Sequence, residues 1–199
     1  SQQEAVRLAE EMGYPVAMKI HSRDILHKSE AKGIHLNLMD AKQVREAFTR
    51  IMADARAYDP DAQLNGVSIQ SMVTGWDYEL IVGSKKDSLF GPVILFGMGG
   101  VMTEILKDQA IALPPLNRLL ARRLMEGTRV YRLLKGYRNR PPADLERLEE
   151  ILINISELII DFPEIAELDI NPLVVGHQGP QAVDARMVIA PSRIASPLH

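Results

Sequence analysis

The order of apolar segments in this 199-residue chain predicts an α+β fold built mainly from antiparallel sheets. Three observations carry the prediction. The first half reads helix, strand, strand, helix, strand, strand, without the strict alternation of a parallel sheet. The last third holds a long helical stripe and then two strands separated by a short glycine-containing turn. A chain of 199 residues buries roughly 70% of its unfolded surface, enough for one domain or two closely associated lobes.

Ala5, Leu8, Ala9 and Met12 fall at helical spacing and Gly13 is a natural stop, so the chain opens with a short amphipathic helix. Residues 15–20 read as an apolar strand interrupted by Lys19 near its end. That lysine is either an edge-strand surface residue or a point charge aimed at a phosphate. A donor-rich loop, 21–33, follows with His27 and Lys28; loops of this composition are commonly solvated. Residues 34–39 alternate as a strand, and Asp40 with Gln43 makes a capping box. The helix it starts carries Val44, Ala47, Phe48, Ile51, Met52 and Ala55 on one face and ends at Asp59-Pro60.

Strands are expected over 66–73 and 78–82, broken at Thr74-Gly75, and over 90–96. The cluster Gly97-Met98-Gly99-Gly100 brings backbone amides to a phosphate or simply turns the chain; it matches neither GxGxxG nor GxxxxGK[ST]. Residues 101–106 read as a further strand carrying Glu104. Residues 116–125 and 142–160 read as helices, the second striped by Leu145, Leu148, Ile151, Leu152, Ile155, Leu158 and Ile159. Between them lies a basic run, Arg118, Arg122, Arg123, Arg129, Arg132, Lys135, Arg138 and Arg140, with Glu126 its only acid. It is a solvated face, or it meets the phosphates of a nucleotide or coenzyme A, or an acidic partner domain. Only Tyr131 and Tyr137 interleave it, which is thin for single-stranded nucleic acid.

The closing hairpin carries the chemistry. Residues 167–175 and 182–186 alternate as strands around Gly176-His177-Gln178-Gly179-Pro180. Alternate side chains share a face, so Asp169 and Asn171 point the same way. With a loop from Gly176 to Gly179, Val175 pairs with Pro180 and the ladder places Asp184 opposite Asn171. Two carboxylates and an amide oxygen then converge, the hard-oxygen set that magnesium takes while phosphates and waters complete its shell. The alternative is a hairpin with polar residues at its mouth and no metal, and a five-residue loop would put Asp184 on the other face.

The charge balance, 23 basic against 26 acidic residues, gives no general attraction to nucleic acid or anionic membrane. No run of about 18 apolar residues is present, and cysteine is absent, as suits a reducing compartment. The expectation is a soluble cytoplasmic protein. Beginning within a helical pattern and without methionine, the chain reads as a fragment of something longer.

Taken together, Gly13-Tyr14-Pro15-Val16-Ala17-Met18-Lys19-Ile20, Asp24-Ile25-Leu26-His27-Lys28-Ser29, Phe90-Gly91-Pro92-Val93, Gly97-Met98-Gly99-Gly100, Leu134-Lys135-Gly136-Tyr137-Arg138 and Glu167-Leu168-Asp169-Ile170-Asn171-Pro172-Leu173 resemble the ATP-grasp domain of NDP-forming acyl-CoA synthetases. That family includes ADP-forming acetyl-CoA synthetases and is related to the succinyl-CoA synthetase β subunit; similar domains occur in bacterial protein lysine acetyltransferases. The resemblance runs in order along nearly the whole chain.

It implies an ATP-grasp fold, two α+β lobes enclosing a nucleotide, with residues 1–73 the first lobe, truncated at its N-terminus, and 74–199 the second. Lys19 matches the phosphate-binding lysine, with Lys28 in the neighbouring loop, and Gln70, Ser71, Met72 and Val73 match the hinge that reads the adenine edge. The family commonly has glutamate where Ser71 stands. Glu79 matches the acid that meets the ribose, and Glu104 falls in the nucleotide-binding part of the second lobe. Asn171 and Asp184, with Asp169 nearby, match the Mg2+ ligands. His27 matches a histidine that carries a phosphoryl group between a mobile histidine and ATP/ADP; the narrower role is a hydrogen bond to phosphate. The implied reaction is acid, ATP and CoA to acyl-CoA, ADP and phosphate, with CoA-binding and ligase domains or a subunit as partners and an oligomer as the full assembly. Two other readings stand beside it: a regulatory nucleotide-binding module of a lysine acetyltransferase, and an ATP-grasp carboxylate-amine ligase with no need of His27.

Overall fold

The computed structural model describes residues 1–25, 27–100 and 107–190. They divide into two compact units, residues 1–74 and the described residues from Gly75 to 190. The strand expected over 101–106, with Glu104, lies outside the described residues.

In the first unit, α1 (Gln2–Met12) starts at Ser1, whose hydroxyl accepts the Glu4 amide at 3.2 Å, and stops at Gly13 with φ +81°. Its buried stripe is Ala5, Val6 and Ala9, whereas Met12, expected on that stripe, is exposed. Strands β1 (Val16–Ser22), β2 (Ile34–Leu38) and β3 (Leu64–Ser71) form an antiparallel sheet in the order β2-β1-β3. Helix α2 (Ala41–Tyr58) buries Val44, Ala47, Ile51 and Ala55 against it together with α1. Asp40 Oδ1 accepts the Gln43 amide at 2.8 Å, but Gln43 Oε1 accepts from Met39, one residue before the cap. The box is thus displaced by one residue from its usual form.

The second unit is a sheet in the order β6-β5-β4-β7-β8, made of β4 (Trp76–Asp87), β5 (Gly91–Met98), β6 (Gln109–Ala112), β7 (Ile165–Gly176) and β8 (Gly179–Ala182). Strand β9 (Ala185–Ile189) continues the pairing of β8 along β7. Helices α3 (Arg118–Glu126), α4 (Val130–Leu134) and α5 (Leu145–Asp161) cover one face. The core there joins Tyr78, Leu80, Val82, Ile94 and Phe96 of the sheet to Leu148, Leu152, Ile155 and Ile159 of α5. The periodicity of the sequence did not mark β6 or α4, which are too short to carry a repeat and exist through contacts made elsewhere.

Asp108 is the clearest such contact. Only 7% exposed, it accepts the Arg129 amide on one carboxylate oxygen and the Val130 amide on the other, both at 2.6 Å, and so starts α4 from 21 residues away. Part of the basic run is neutralised locally: Arg122 Nε donates to the buried Glu149 at 2.7 Å, and Arg118 lies 3.7 Å from Glu150. Among the described residues no helix is long and apolar enough to cross a membrane.

Replacing Asp108 by alanine strips both amides at the start of α4 of their acceptor. We expect a loss of about 2 kcal/mol in urea denaturation. An unchanged midpoint would mean that the cap does not hold α4.

Candidate functional site

In the second unit the hairpin has the register obtained by counting along the sequence. Val175 pairs with Pro180 and Gly176 with Gly179, the Asn171 amide donates to the Asp184 carbonyl at 3.1 Å, and the Val183 amide to that of Pro172 at 3.0 Å. Asp184 therefore stands across from Asn171. Simple alternation, however, ends at that point. Strand β7 meets β4 as Ile170 with Val82 and Leu173 with Leu80, so Asn171 and Pro172 together oppose Ile81. This is a bulge, and it changes the phase of the strand. The core side chains are Leu168 and Ile170 before it and Leu173 and Val175 after it.

The bulge is also where Asn171 is tied down. Its Oδ1 accepts the Gly100 amide at 3.2 Å. A side chain on Gly100 would run into the Glu79 carboxylate, and one on Gly99, whose amide donates to the Glu79 carbonyl at 2.9 Å, into the Leu80 backbone. Gly97 in turn sits against the Asp108 carbonyl. Gly97 and Gly99 are thus required for close packing of backbone against backbone, and Gly100, at φ +70°, by its left-handed backbone, whatever else their amides do. The outcome is a chain of neighbours, Glu79, Gly100, Asn171, Asp184, within one unit. Sequence reasoning named three of them and missed Gly100 as the connection; the signal available was the glycine cluster itself.

Asp169 faces Arg186 across β7 and β9, and Arg186 pairs with Glu167. Burial pushes the Asp169 carboxyl above its ordinary range; Arg186 opposes the shift, while Glu167 and Asp184 add repulsion. Two mutually repelling carboxylates beside an amide oxygen with a second lone pair fit a hard divalent cation. Among the described residues no three His, Cys, Asp or Glu side chains are placed together so as to hold a metal ion, so the candidate set here is two carboxylates and the Asn171 amide oxygen.

The first unit holds the remaining residues. Lys19 does not lie at a strand end or on an edge: β1 continues to Ser22 and is the middle strand, and Lys19 is only 4% exposed. It faces away from Met18 and Ile20, which belong to the helix-covered core. The loop after β1 is anchored rather than freely solvated. Ile25 and Ala31 are buried, Ser22 Oγ accepts the Asp24 and Ile25 amides, Asp24 accepts the Gln63 amide at 2.7 Å, and Gly33 packs against Ile20. Between these anchors His27 is exposed, with Nδ1 3.8 Å from Glu30 Oε1, and the Lys28 carbonyl accepts the Gly33 amide at 2.7 Å.

Of the hinge residues, Gln70 and Ser71 end β3 opposite Ala17 and Val16, while Met72 and Val73 lie beyond the strand. The Met72 amide is spent on the Pro15 carbonyl at 3.2 Å. Antiparallel alternation then turns the Ser71 amide and carbonyl outward, on the open edge of this sheet. Ser71, rather than Met72, presents a free backbone donor there.

Comparison with known proteins adds the following. A family model described as "ATP-grasp domain" matches residues 1–189. The chain is 42% identical over 189 residues to the β subunit of acetate–CoA ligase [ADP-forming] I of Pyrococcus furiosus, covering 95% of the chain and 81% of that subunit. It is 41% identical over 186 residues to acetate–CoA ligase [ADP-forming] I of Archaeoglobus fulgidus, covering 94% of the chain but 27% of that longer protein. Among solved structures, it superposes on the dinucleotide forming acetyl-coenzyme A synthetase 1 of Ca. Korarchaeum cryptofilum in complex with coenzyme A, Ca-AMPCP and HgCl+. The TM-score is 0.89 at 34% identity, over 95% of this chain and 82% of that one.

The electrostatics predict a measurable pH effect. A carboxyl whose folded-state pKa is raised stabilises the fold at low pH and loses that contribution as pH rises through the folded value. Asp169→Asn removes this dependence. Without added metal, the variant is expected to melt above the parent near neutral pH, with the gap closing in acid, in thermal melts across pH.

Proposed function

The chain belongs to the ATP-grasp domain family as a relative of ADP-forming acetate–CoA ligase β subunits, and from that premise we propose that it is the nucleotide-binding, phosphoryl-transferring part of an ADP-forming acyl-CoA synthetase. The observation that carries the reading is the hairpin register: Asp184 across from Asn171, with Asp169 electrostatically coupled to Asp184. The whole reaction would convert acid, ATP and CoA to acyl-CoA, ADP and phosphate through an acyl phosphate and a phosphohistidine. The chain spans about a quarter of its single-chain relative, so the CoA-binding and ligase chemistry is assigned to partner domains or a partner subunit, assembled as an oligomer in the cytoplasm.

In this reading Ser1–Thr74 and Gly75–His199 are the two ATP-grasp lobes. Lys19 and Lys28 neutralise phosphate charge, Ser71 and its hinge neighbours Gln70, Met72 and Val73 offer backbone to the base, and Glu79 accepts from the ribose. Glu104 is retained as a nucleotide-lobe residue on resemblance alone. Asn171 and Asp184, with Asp169, would hold Mg2+, which when bound supplies charge neutralisation to the phosphates. His27 would take the phosphoryl group: the terminal P–O bond of ATP breaks, a P–N bond forms at the imidazole, and the displaced ring proton passes to solvent. Its anchored yet exposed loop supports that role, because a carrier must be fixed in place and still reachable by a second histidine. The relatives described above are CoA ligases, which favours this reading over a regulatory module of an acetyltransferase or a carboxylate-amine ligase.

Calorimetric titration of ATP and ADP into the chain is expected to show binding that needs Mg2+ and weakens at least roughly tenfold in Asn171→Ala and Asp184→Ala. In the enzyme reconstituted with its partner domains, His27→Ala should keep nucleotide affinity and lose the alkali-stable phosphoryl label on this chain. A label that survives the substitution would sink the carrier role.

A further inference from the structure

We propose that the tip of the hairpin joining β4 to β5 is a docking knob, and that Leu89 and Phe90 at its apex enter an apolar socket on the CoA-binding and ligase partner of this chain. The inference rests on the partner arrangement proposed above. None of the residues assigned to nucleotide or Mg2+ takes part in it.

The tip is built to hold these two side chains out. Asp87 pairs with Gly91, which closes a three-residue loop, Ser88-Leu89-Phe90, with Gly91 in the left-handed region at φ +74°. Asp87 Oδ1 accepts the Leu89 amide at 2.8 Å and the Phe90 amide at 3.0 Å. The same two bonds hold the Asp87 carboxyl below its ordinary range, so the acceptor is ionised at neutral pH. One residue earlier, Lys86 donates to the Pro163 carbonyl and ties the hairpin to the corner between α5 and β7, where Phe162 is also exposed. A loop fixed in this way has little freedom left to lose on binding.

Leu89 is 86% exposed and Phe90 68%, the two most exposed large apolar side chains among the described residues. Neither belongs to the core of its unit. Exposed Lys85, Lys86, Asp87 and Ser88 lead up to them, so an apolar and aromatic anchor stands beside a polar rim, the pattern of an interface hot spot. A lone exposed leucine calls for no explanation; a leucine and a phenylalanine held side by side on a hydrogen-bonded turn do.

Chain architecture indicates what covers the tip. The Pyrococcus relative is a β subunit, a chain of its own, whereas the Archaeoglobus relative carries the matching residues as 27% of one longer chain. Where the parts are separate chains no linker holds them together, so this domain must itself present a contact surface. A second copy fits less well. A two-fold contact needs a self-complementary patch, and two protruding tips that meet would cover little besides each other.

The chain and its CoA-binding and ligase partner, prepared as two chains, would be titrated by calorimetry and followed by sedimentation velocity, each alone and mixed. We expect the parent to bind the partner and the double variant Leu89→Ser, Phe90→Ser to bind it at least roughly tenfold more weakly. Phe90→Leu, which keeps an apolar side chain, should lose less. The double variant should melt with the parent, because neither side chain is in the core, and should bind Mg2+-ATP as the parent does. The proposal is overturned if the double variant binds the partner as the parent does, if the parent does not bind the partner, or if the parent alone self-associates and the double variant does not. Tip-dependent docking without Mg2+-ATP binding by the parent would remove the function proposed above and leave this surface standing. Mg2+-ATP binding with no effect of the tip on docking would do the reverse.

Discussion

The pairing of β7 with β4 is the constraint on which the second unit turns. One extra β7 residue at Asn171-Pro172 lets Leu168 and Ile170 on one side, and Leu173 and Val175 on the other, reach the same helix-covered core. Each such side chain contributes about 1.5–3 kcal/mol when fully buried, against about 1 kcal/mol for the single bond from Gly100 to Asn171. Hydrophobic burial therefore fixes the register, and the polar cluster follows from it. Asp169, Asn171 and Asp184 are presented where they are because the apolar residues between them have nowhere else to go.

The first unit solves a different problem. Lys19 is almost fully buried in the central strand, an environment that is costly for an ammonium group unless other groups compensate it. A few residues later the chain does the reverse and holds His27 out in solvent, between two small apolar anchors, Ile25 and Ala31. The same loop thus has buried feet and an exposed apex, which gives a side chain a fixed position without enclosing it.

Charge is arranged with similar economy in the segment 118–140. Two of the three arginines on α3, Arg118 and Arg122, face acids on α5, the second the wholly buried Glu149, and such a pair is costly to break from one side. Those beyond α4 are carried on a loop tied to β4 by Tyr78 and Arg140. A sequence run that looks uniform is therefore held in two different ways, partly by acids of α5 and partly by the strand its loop is tied to.

Much of this was legible in the sequence, for identifiable reasons. Helices α1, α2 and α5 repeat apolar residues at helical spacing over several turns, so local periodicity suffices to place them. The standing of Asp184 across from Asn171 follows from counting once the loop is taken as Gly176 to Gly179; the pairing of Gly176 with Gly179 selects that register over the five-residue loop. What only the tertiary structure decided are features made by residues far apart in the chain. They are the bulge of β7 against Ile81, the Gly100 amide on Asn171, the burial of Lys19, the existence of β6, and the start of α4 on Asp108. Each depends on which surfaces meet after folding, and a pattern of neighbours along the chain carries no record of that meeting.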